Sequence, residues 1–470
     1  MVESKTNLSK IGNDSAPLVT VYVTNYNYAD YVEQSIESVL AQTYDNFEVI
    51  IIDDGSTDNS TEIISRYIEK TNVRVIFQQN KGLIATNNIA VRAAQGKYIM
   101  RLDADDYLDE NALLVLVKAI EKSADIALIF PDYYYVDADG QVTGQERRHN
   151  FQTHVTLLDQ PAHGACTLIR KSCLLEVGGY SPEFTCQDGW DLWLKLTENY
   201  SVRNVNLPLF YYRRHSDNLT NDTDRLLETR AEIYKSHAKR SKKPPLKVIS
   251  VLPVRGSKIE KHSQVIMELG GKLLIDWSID AVLNSDMVSE LIVTTPDQDI
   301  IDHLSHKYGG LITIVERDKS ASLENMSYGP AVKDALARRK TKSFDAVLEI
   351  TADSPFRTTS YIDKAINVMR VHDVDKVLGV CPDDSKFYRH KGSGLERLGN
   401  DSDNGALRYE REYLYRQAGG IMLAKRYCYN SSHNSDGDKK GHIILSDKAA
   451  IRVRSVFENQ VAALLIQRKL

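Results

Sequence analysis

The stretch Phe47-Glu48-Val49-Ile50-Ile51-Ile52-Asp53-Asp54-Gly55-Ser56-Thr57-Asp58 decides the fold. Its apolar run reads as a strand buried on both faces. The run stops at Asp53-Asp54-Gly55-Ser56, and a helix is expected from close to Thr57, with Ile63, Ile64, Tyr67 and Ile68 on its inner side.

The same alternation extends outward. Val19 to Val23 is a β-branched and aromatic run, followed by Val32, Ile36, Val39 and Leu40 at helical spacing. Val73 to Phe77 is a further strand, and Tyr98 to Leu102 runs into Asp103-Ala104-Asp105-Asp106. Ser236 to Lys247 reads SHAKRSKKPPLK, where paired prolines cannot continue a helix and a basic cluster lacks apolar periodicity. After it Val248 to Leu252 restarts the pattern, with a helix over Leu274 to Leu283 and strands at Leu291 to Thr295 and Ala346 to Thr351. The expectation is an α/β chain of two doubly wound, mostly parallel-sheet domains. Their limits read as a polar tail over 1–16, a first domain over 17–239, a linker over 240–246 and a second domain over 247–470.

Composition narrows the function. A length of 470 residues exceeds one usual core, and 42% apolar with 26% charged residues is ordinary globular usage. Lys plus Arg (59) against Asp plus Glu (64) leaves a net charge of -5, which argues against a nucleic-acid partner. There is no transmembrane-length apolar run and no signal-peptide core in the polar first fifteen residues. The five cysteines are never spaced as a metal knuckle, so a cytoplasmic location is expected. The basic linker reads as a solvated connector, with weak contact to an anionic membrane surface as its alternative.

Ligands of open parallel sheets sit beyond the strands' carboxyl ends. Those ends carry Asp53-Asp54 and Asp103-Ala104-Asp105. One such aspartate could merely cap a helix, but two clusters on one edge point to a hard divalent cation that holds phosphate oxygens. Asp137-Ala138-Asp139-Gly140 reads instead as a hairpin turn.

Thr24-Asn25-Tyr26-Asn27, the segment Ile36 to Tyr44, IIIDDGSTD and RLDADD together resemble family 2 inverting glycosyltransferases over about residues 17 to 220. The resemblance implies a GT-A fold, Mn²⁺ or Mg²⁺, a nucleotide-sugar donor of the UDP type and a glycan or lipid-linked acceptor. It implies that Asp53 and Asp54 serve the donor, Asp54 at the base or ribose. Asp103 and Asp105 become the metal-positioning pair on the donor diphosphate. Gln187-Asp188-Gly189-Trp190-Asp191 resembles the family's acidic segment at a helix start, with Asp188 as base and Asp191 in reserve. Asp191 could equally serve the helix dipole. Tyr212-Arg213-Arg214-His215 resembles the late segment that brings a histidine to the metal and diphosphate. His163-Gly164-Ala165 lines the acceptor side or forms a tight turn.

In the second half, Arg255-Gly256-Ser257-Lys258 follows a strand, and its backbone N–H groups and cations could cradle a phosphate chain. Its spacing is not that of a P-loop. Together with Gly270-Gly271-Lys272, Thr294-Thr295-Pro296-Asp297, Ser354-Pro355-Phe356-Arg357 and Lys386-Phe387-Tyr388-Arg389, it resembles acylneuraminate-type cytidylyltransferases over 247 to about 430. Thr351-Ala352-Asp353 is closer to a spore-coat-polysaccharide branch. The resemblance implies a nucleotidyltransferase-like Rossmann-type fold, CTP, Mg²⁺ and an acidic sugar. Arg255, Gly256, Ser257, Lys258 and Lys261 would grip the triphosphate, Arg255 and Lys261 with a catalytic part. Thr295 and Asp297 would lie near the nucleoside, and Arg357, Lys386, Tyr388 and Arg416 would meet the acid. The loop is one glycine shorter than the family's usual form. Arg452 and Arg454 stand where carboxylates are expected, so metal binding would rest on Asp353 or other groups. The chain thus reads as a bifunctional enzyme of surface-polysaccharide synthesis. Its alternatives make the rear domain an activator of a Kdo-like or phosphonate acid, or a non-catalytic nucleotide-binding or homodimerisation module.

Overall fold

The computed structural model describes residues 16–468 apart from 152–154, 216–221, 257–259, 261–262, 319–326, 340–342, 384, 386, 393, 398–413 and 431. Contacts divide the chain after Asn218 into a front and a rear unit, with Leu157–Asp159 counted in the rear.

The front unit runs β1 (Val19–Asn25), α1 (Val32–Leu40), β2 (Phe47–Asp53), α2 (Ser60–Ser65), β3 (Val73–Phe77), α3 (Leu83–Ala93), β4 (Tyr98–Asp103), β5 (Tyr107–Leu108), α4 (Ala112–Ile120), β6 (Ile126–Val136), β7 (Val142–Glu146), β8 (Leu168–Arg170), α5 (Lys171–Glu176), α6 (Asp188–Asn199) and β9 (Ser201–Arg213). The sheet order is β3-β2-β1-β4-β8-β6-β9-β5, with β7 on β6. Every residue of β1 is buried because it lies between β2 and β4, with helices covering the sheet. Val19, Val21 and Val23 pack with Ile36 and Val39 of α1, so the helical spacing read in the sequence marks the core face.

Register makes the site. β1 pairs with β2 so that Asn25 faces Asp53, and with β4 so that Thr24 faces Asp103. Parallel pairing thereby brings the acidic strand ends to one edge. Beyond β4 the sheet departs from the parallel expectation, because β8 runs antiparallel to both β4 and β6, and β5 and β7 also pair antiparallel. The β6–β7 connection is the expected turn: Asp137 Oδ1 accepts from Asp139 N and Gln141 N, at 3.1 and 2.8 Å.

The rear unit runs α7 (Thr223–Arg240), β10 (Val248–Pro253), β11 (Glu268–Leu269), β12 (Lys272–Leu273), α8 (Leu274–Leu283), β13 (Val288–Thr295), α9 (Gln298–Tyr308), β14 (Thr313–Glu316), α10 (Gly329–Ala337), β15 (Ala346–Ile350), α11 (Thr359–His372), β16 (Lys376–Asp383), β17 (Tyr388–Lys391), β18 (Gly394–Arg397), β19 (Leu414–Lys425), β20 (Lys440–Ile444) and α12 (Val456–Gln467). Its main sheet is ordered β14-β13-β10-β15-β19-β16-β20, parallel except where β19 runs against β15 and β16. The ends of β10, β13 and β15 open onto the segments carrying Arg255, Asp297 and Asp353.

The boundary differs from the sequence reading. Helix α7 falls in the rear unit, so 240–246 joins two rear elements and does not separate the units. The reason is packing against α11: Leu227, Ile233 and Tyr234 are buried, Lys364 Nζ donates to Leu227 O at 3.3 Å, and Tyr234 Oη lies 3.1 Å from His372 Nε2. A rear fragment beginning at Asp222 should therefore unfold cooperatively. One beginning at Lys247 should lose on the order of 5 kcal/mol from the exposed α11 face, read by thermal and urea unfolding of the two fragments. Equal stabilities would show that α7 does not belong to the rear core.

Candidate functional sites

At the front strand edge, Asp53 turns back on its own loop. Its Oδ1 accepts from Ser56 N at 3.1 Å and Ser56 Oγ at 2.5 Å, and its Oδ2 accepts from Thr61 Oγ1 at 3.0 Å. Asp54 ties down the loop before α3, accepting from Gln78 Nε2 (2.7 Å), Lys81 N and Gly82 N (both 2.8 Å). Both aspartates are buried with their carboxylates engaged by these loop donors. Gly55, at φ +80°, fits here because an added Cβ would lie 2.7 Å from Asn80 N.

Arg101, on β4, is the centre of the site. Its guanidinium meets Asp103 through Nε (2.9 Å) and Nη2 (3.0 Å), and Asp188 Oδ2 through Nη1 (2.6 Å). Asn87 Nδ2 also donates to Asp188 Oδ2, at 2.9 Å. One buried cation therefore connects the expected metal-side aspartate to the expected base. Burial works against its charge, and Asp103 and Asp188 outweigh that, holding its pKa well above the usual range. Asp191 belongs elsewhere: it accepts from Ser181 Oγ and pairs with Lys195 Nζ, both at 2.7 Å, and is fully buried. An added Cβ on Gly164 would approach Arg101 Nη2 to 2.8 Å, so that glycine gives the guanidinium its room. His163 sits among the rings of Tyr133, Phe210 and Tyr212, and burial pushes its pKa down to about 4.

The acid cluster closes with β9. His215 Nε2 lies 3.1 Å from Asp105 Oδ2 and stacks on Tyr31. Arg213 N donates to Asp106 Oδ1 at 2.9 Å, and its Nε donates to Asp105 O at 2.8 Å. Among the described residues, Asp106 Oδ2 is buried without a hydrogen-bond partner. Burial, then the charge of Asp103, raises Asp105 to about 6, and burial with the Asp105 and Asp103 charges raises Asp106 further. An orphaned carboxylate oxygen among crowded, desolvated acids fits a hard divalent cation.

In the rear unit, Gly256 N donates to Asp297 Oδ2 at 2.7 Å, so Asp297 shapes the loop after β10. Thr295 is fully buried, its Oγ1 accepting from Asp297 N at 3.3 Å. Arg255 is buried with its guanidinium over the Tyr328 ring. Beside it Arg317, which the sequence reading missed, donates to Thr294 O and Val254 O at 2.8 Å; burial and Arg255 lower its pKa to about 10. Ser257, Lys258, Lys261 and Lys386 lie outside the described residues. Tyr388 is exposed on the β17–β18 hairpin.

Two rear expectations need correction. Arg357 is buried and braces backbone carbonyls, donating to Gly419 O at 2.5 Å and Thr351 O at 3.1 Å, so it is not presented to a substrate. Asp353 is not an open metal ligand. Its Oδ2 accepts from Arg452 Nε and Nη2 (3.0 and 2.8 Å) and from Arg454 Nε (2.7 Å), while Thr351 Oγ1 donates to Oδ1. The two arginines, whose positive charge opposes a cation, neutralise the carboxylate assigned to hold it. They also line a cavity of about 440 Å³ with Arg416, Asp447, Ala450, Ile451 and Glu458. Arg416 lies 3.4 Å from Asp383.

Comparison with known proteins separates the two units in the same way. The model of glycosyl transferase family 2 matches residues 20–177, and the cytidylyltransferase model matches residues 262–379. A chondroitin synthase of Pasteurella multocida is 31% identical over 205 residues, 43% of this chain, and the chain spans 21% of that relative. The glycosyltransferase GlyG of Streptococcus pneumoniae is 42% identical over 137 residues, 27% of this chain and 45% of its own. An uncharacterized glycosyltransferase of Methanocaldococcus jannaschii is 30% identical over 219 residues, covering 43% of this chain and 73% of its own. The chain belongs to glycosyltransferase family 2. Behind this family 2 unit it carries a cytidylyltransferase domain, and it is an enzyme. Among the described residues, no helix is long and apolar enough to cross a membrane.

The family 2 site missed two residues that the quoted RLDADD contained, Arg101 and Asp106. The signal for Arg101 was a cation inside a buried strand, a placement that requires carboxylate partners. The electrostatics give a test. Asp105 titrates near 6 against 3.8 in the unfolded chain, so its stabilising share is full below about pH 3.8 and is lost as pH rises through 6. Asp105→Asn should raise the melting temperature of the ligand-free enzyme at about pH 7.5, and should remove the rise that Mn²⁺ gives the native protein. That native Mn²⁺ rise should shrink below about pH 6, as Asp105 takes up a proton. Thermal unfolding across pH with and without Mn²⁺ reads all three; an unchanged Mn²⁺ response in the variant would remove Asp105 from the cation site.

Proposed function

We propose that the family 2 unit transfers a sugar, with inversion, from a UDP-type donor to a hydroxyl of a glycan or lipid-linked acceptor in surface-polysaccharide synthesis. The observation that carries this reading is the connection of Asp103 and Asp188 through Arg101 beside the Asp105–Asp106–His215 cluster. Asp103, Asp105 and His215 would hold the divalent cation, with the orphaned oxygen of Asp106 facing the same cluster. When bound, the cation offsets the charge that the leaving diphosphate gains. Asp188 would accept the acceptor's proton, and Arg101 and Asn87 keep its carboxylate oriented. Asp54 and the loop it ties down would form the wall for the nucleoside. His163, held neutral among aromatic rings, suits the flank of an uncharged sugar.

Asp188→Asn should lower the transfer rate by on the order of 10³-fold with donor affinity kept within a few-fold, since a general base acts in the chemical step alone. Asp191→Asn should lower stability first, because it leaves the Lys195 ammonium with Ser181 Oγ and Gly179 O but without its carboxylate. Product formation and donor binding measured together decide the assignment. If Asp191→Asn is the variant that stays folded, binds donor and fails to turn over, the base is Asp191.

For the rear unit we propose CTP binding at the Arg255–Gly256 loop and transfer of CMP to an acidic, nonulosonate-like sugar. Arg416, Arg452 and Arg454 around the 440 Å³ cavity support an anionic co-substrate, which a Kdo-like or phosphonate acid would also satisfy. The clamp of Arg452 and Arg454 on Asp353 favours the alternative of a nucleotide-binding module without turnover. Pyrophosphate release from CTP and Mg²⁺ over a panel of acidic sugars separates the readings. In the catalytic reading at least one acid releases pyrophosphate. In the module reading CTP binds, Arg255→Ala weakens it by about 10- to 100-fold, and no acid is turned over.

A further inference from the structure

The connection between β19 and β20 folds back on itself through two short 3₁₀ turns, Arg426–Tyr429 and Ser435–Gly437. It gathers three side chains of different chemistry. Cys428 Sγ, a ring nitrogen of His433 and a carboxylate oxygen of Asp438 all lie within 4.8 Å of one another. His433 Nε2 lies 2.9 Å from Asp438 Oδ1 and is enclosed. The other oxygen of Asp438 is held by Lys376 Nζ at 2.7 Å, which orients the carboxylate and leaves Oδ1 turned to the cluster. Lys376 opens β16, which lies between β19 and β20, so the cluster sits where the connection crosses the sheet edge.

We infer that Cys428, His433 and Asp438 form a site for a borderline divalent cation of the zinc class, independent of either nucleotide site, that cross-links the β19–β20 connection to itself. A thiolate, an imidazole and a carboxylate are the ligand types zinc takes, and the thiolate and carboxylate supply the two negative charges that match it. The bond lengths of about 2.0–2.3 Å require the three atoms to close by on the order of 1 Å, within reach of side-chain rotation on a loop. Zinc takes a cysteine as thiolate, so binding displaces the Cys428 thiol proton. A fourth position stays open to water.

The test uses the full chain carrying Asp103→Asn and Asp105→Asn, which removes the cation site proposed for the front unit. Co²⁺ added to this protein should give a near-ultraviolet thiolate-to-cobalt charge-transfer band, and Zn²⁺ should displace it and be retained at about one equivalent after desalting. Cys428→Ser should abolish the band and the retained zinc, whereas Cys381→Ser should leave both unchanged. His433→Gln keeps the thiol, so it should keep a weaker band with affinity lower by at least about tenfold, which guards against misfolding of the serine variant. Absence of the band in the parent protein, or its survival in a folded Cys428→Ser variant, would overturn the site.

Discussion

A guanidinium buried in the middle of a sheet needs acceptors around it, and Arg101 finds them in two carboxylates. Taking its charge out of water costs several kcal/mol unless partners restore the loss. Asp103 is supplied by its own strand and Asp188 by the start of α6, which lies 87 residues further along the chain. The pairing fixes where α6 begins relative to β4 and requires a glycine at 164. It also makes the groups assigned to the cation and to proton transfer two sides of one ion network.

The rear unit uses arginine differently. Arg452 and Arg454 converge on Asp353, the carboxylate at the end of β15, where the resemblance calls for a cation. Three positive groups, with Arg416, border the adjoining cavity, although Asp447 and Glu458 line it too. The two strand edges thus differ in charge balance: in front one arginine, Arg101, is shared by Asp103 and Asp188 beside Asp105 and Asp106, and behind two arginines converge on the single Asp353. In the rear unit, fixed cations stand where the resemblance calls for a metal.

How much of this was legible in the sequence follows from what each signal depends on. The strands from Val19 to Asp103 could be read directly, since parallel strands buried on both faces leave long apolar runs. The edge position of Asp53, Asp103 and Asp105 then followed from topology. What pairing would do to those acids was not legible. Asp53 and Asp54 satisfy loop donors 3 to 28 residues away, and that hydrogen bonding has no periodic trace. The boundary was misplaced for a similar reason. The prolines after Arg240 end a helix, but only contacts with α11 decide which core that helix joins. Arg357 was assigned to the substrate by resemblance, whereas here backbone carbonyls of β19 hold it inside.

The central claim is that Arg101, through Asp103 and Asp188, makes the front site work as one unit. A double-mutant cycle on the rate of sugar transfer tests it most directly, comparing Arg101→Gln, Asp188→Asn and the pair together. The account predicts strong non-additivity, the double variant being no slower than the worse single variant within about threefold, because either change already disables the same network. Losses that multiply would contradict it, since Arg101 and Asp188 would then contribute independently.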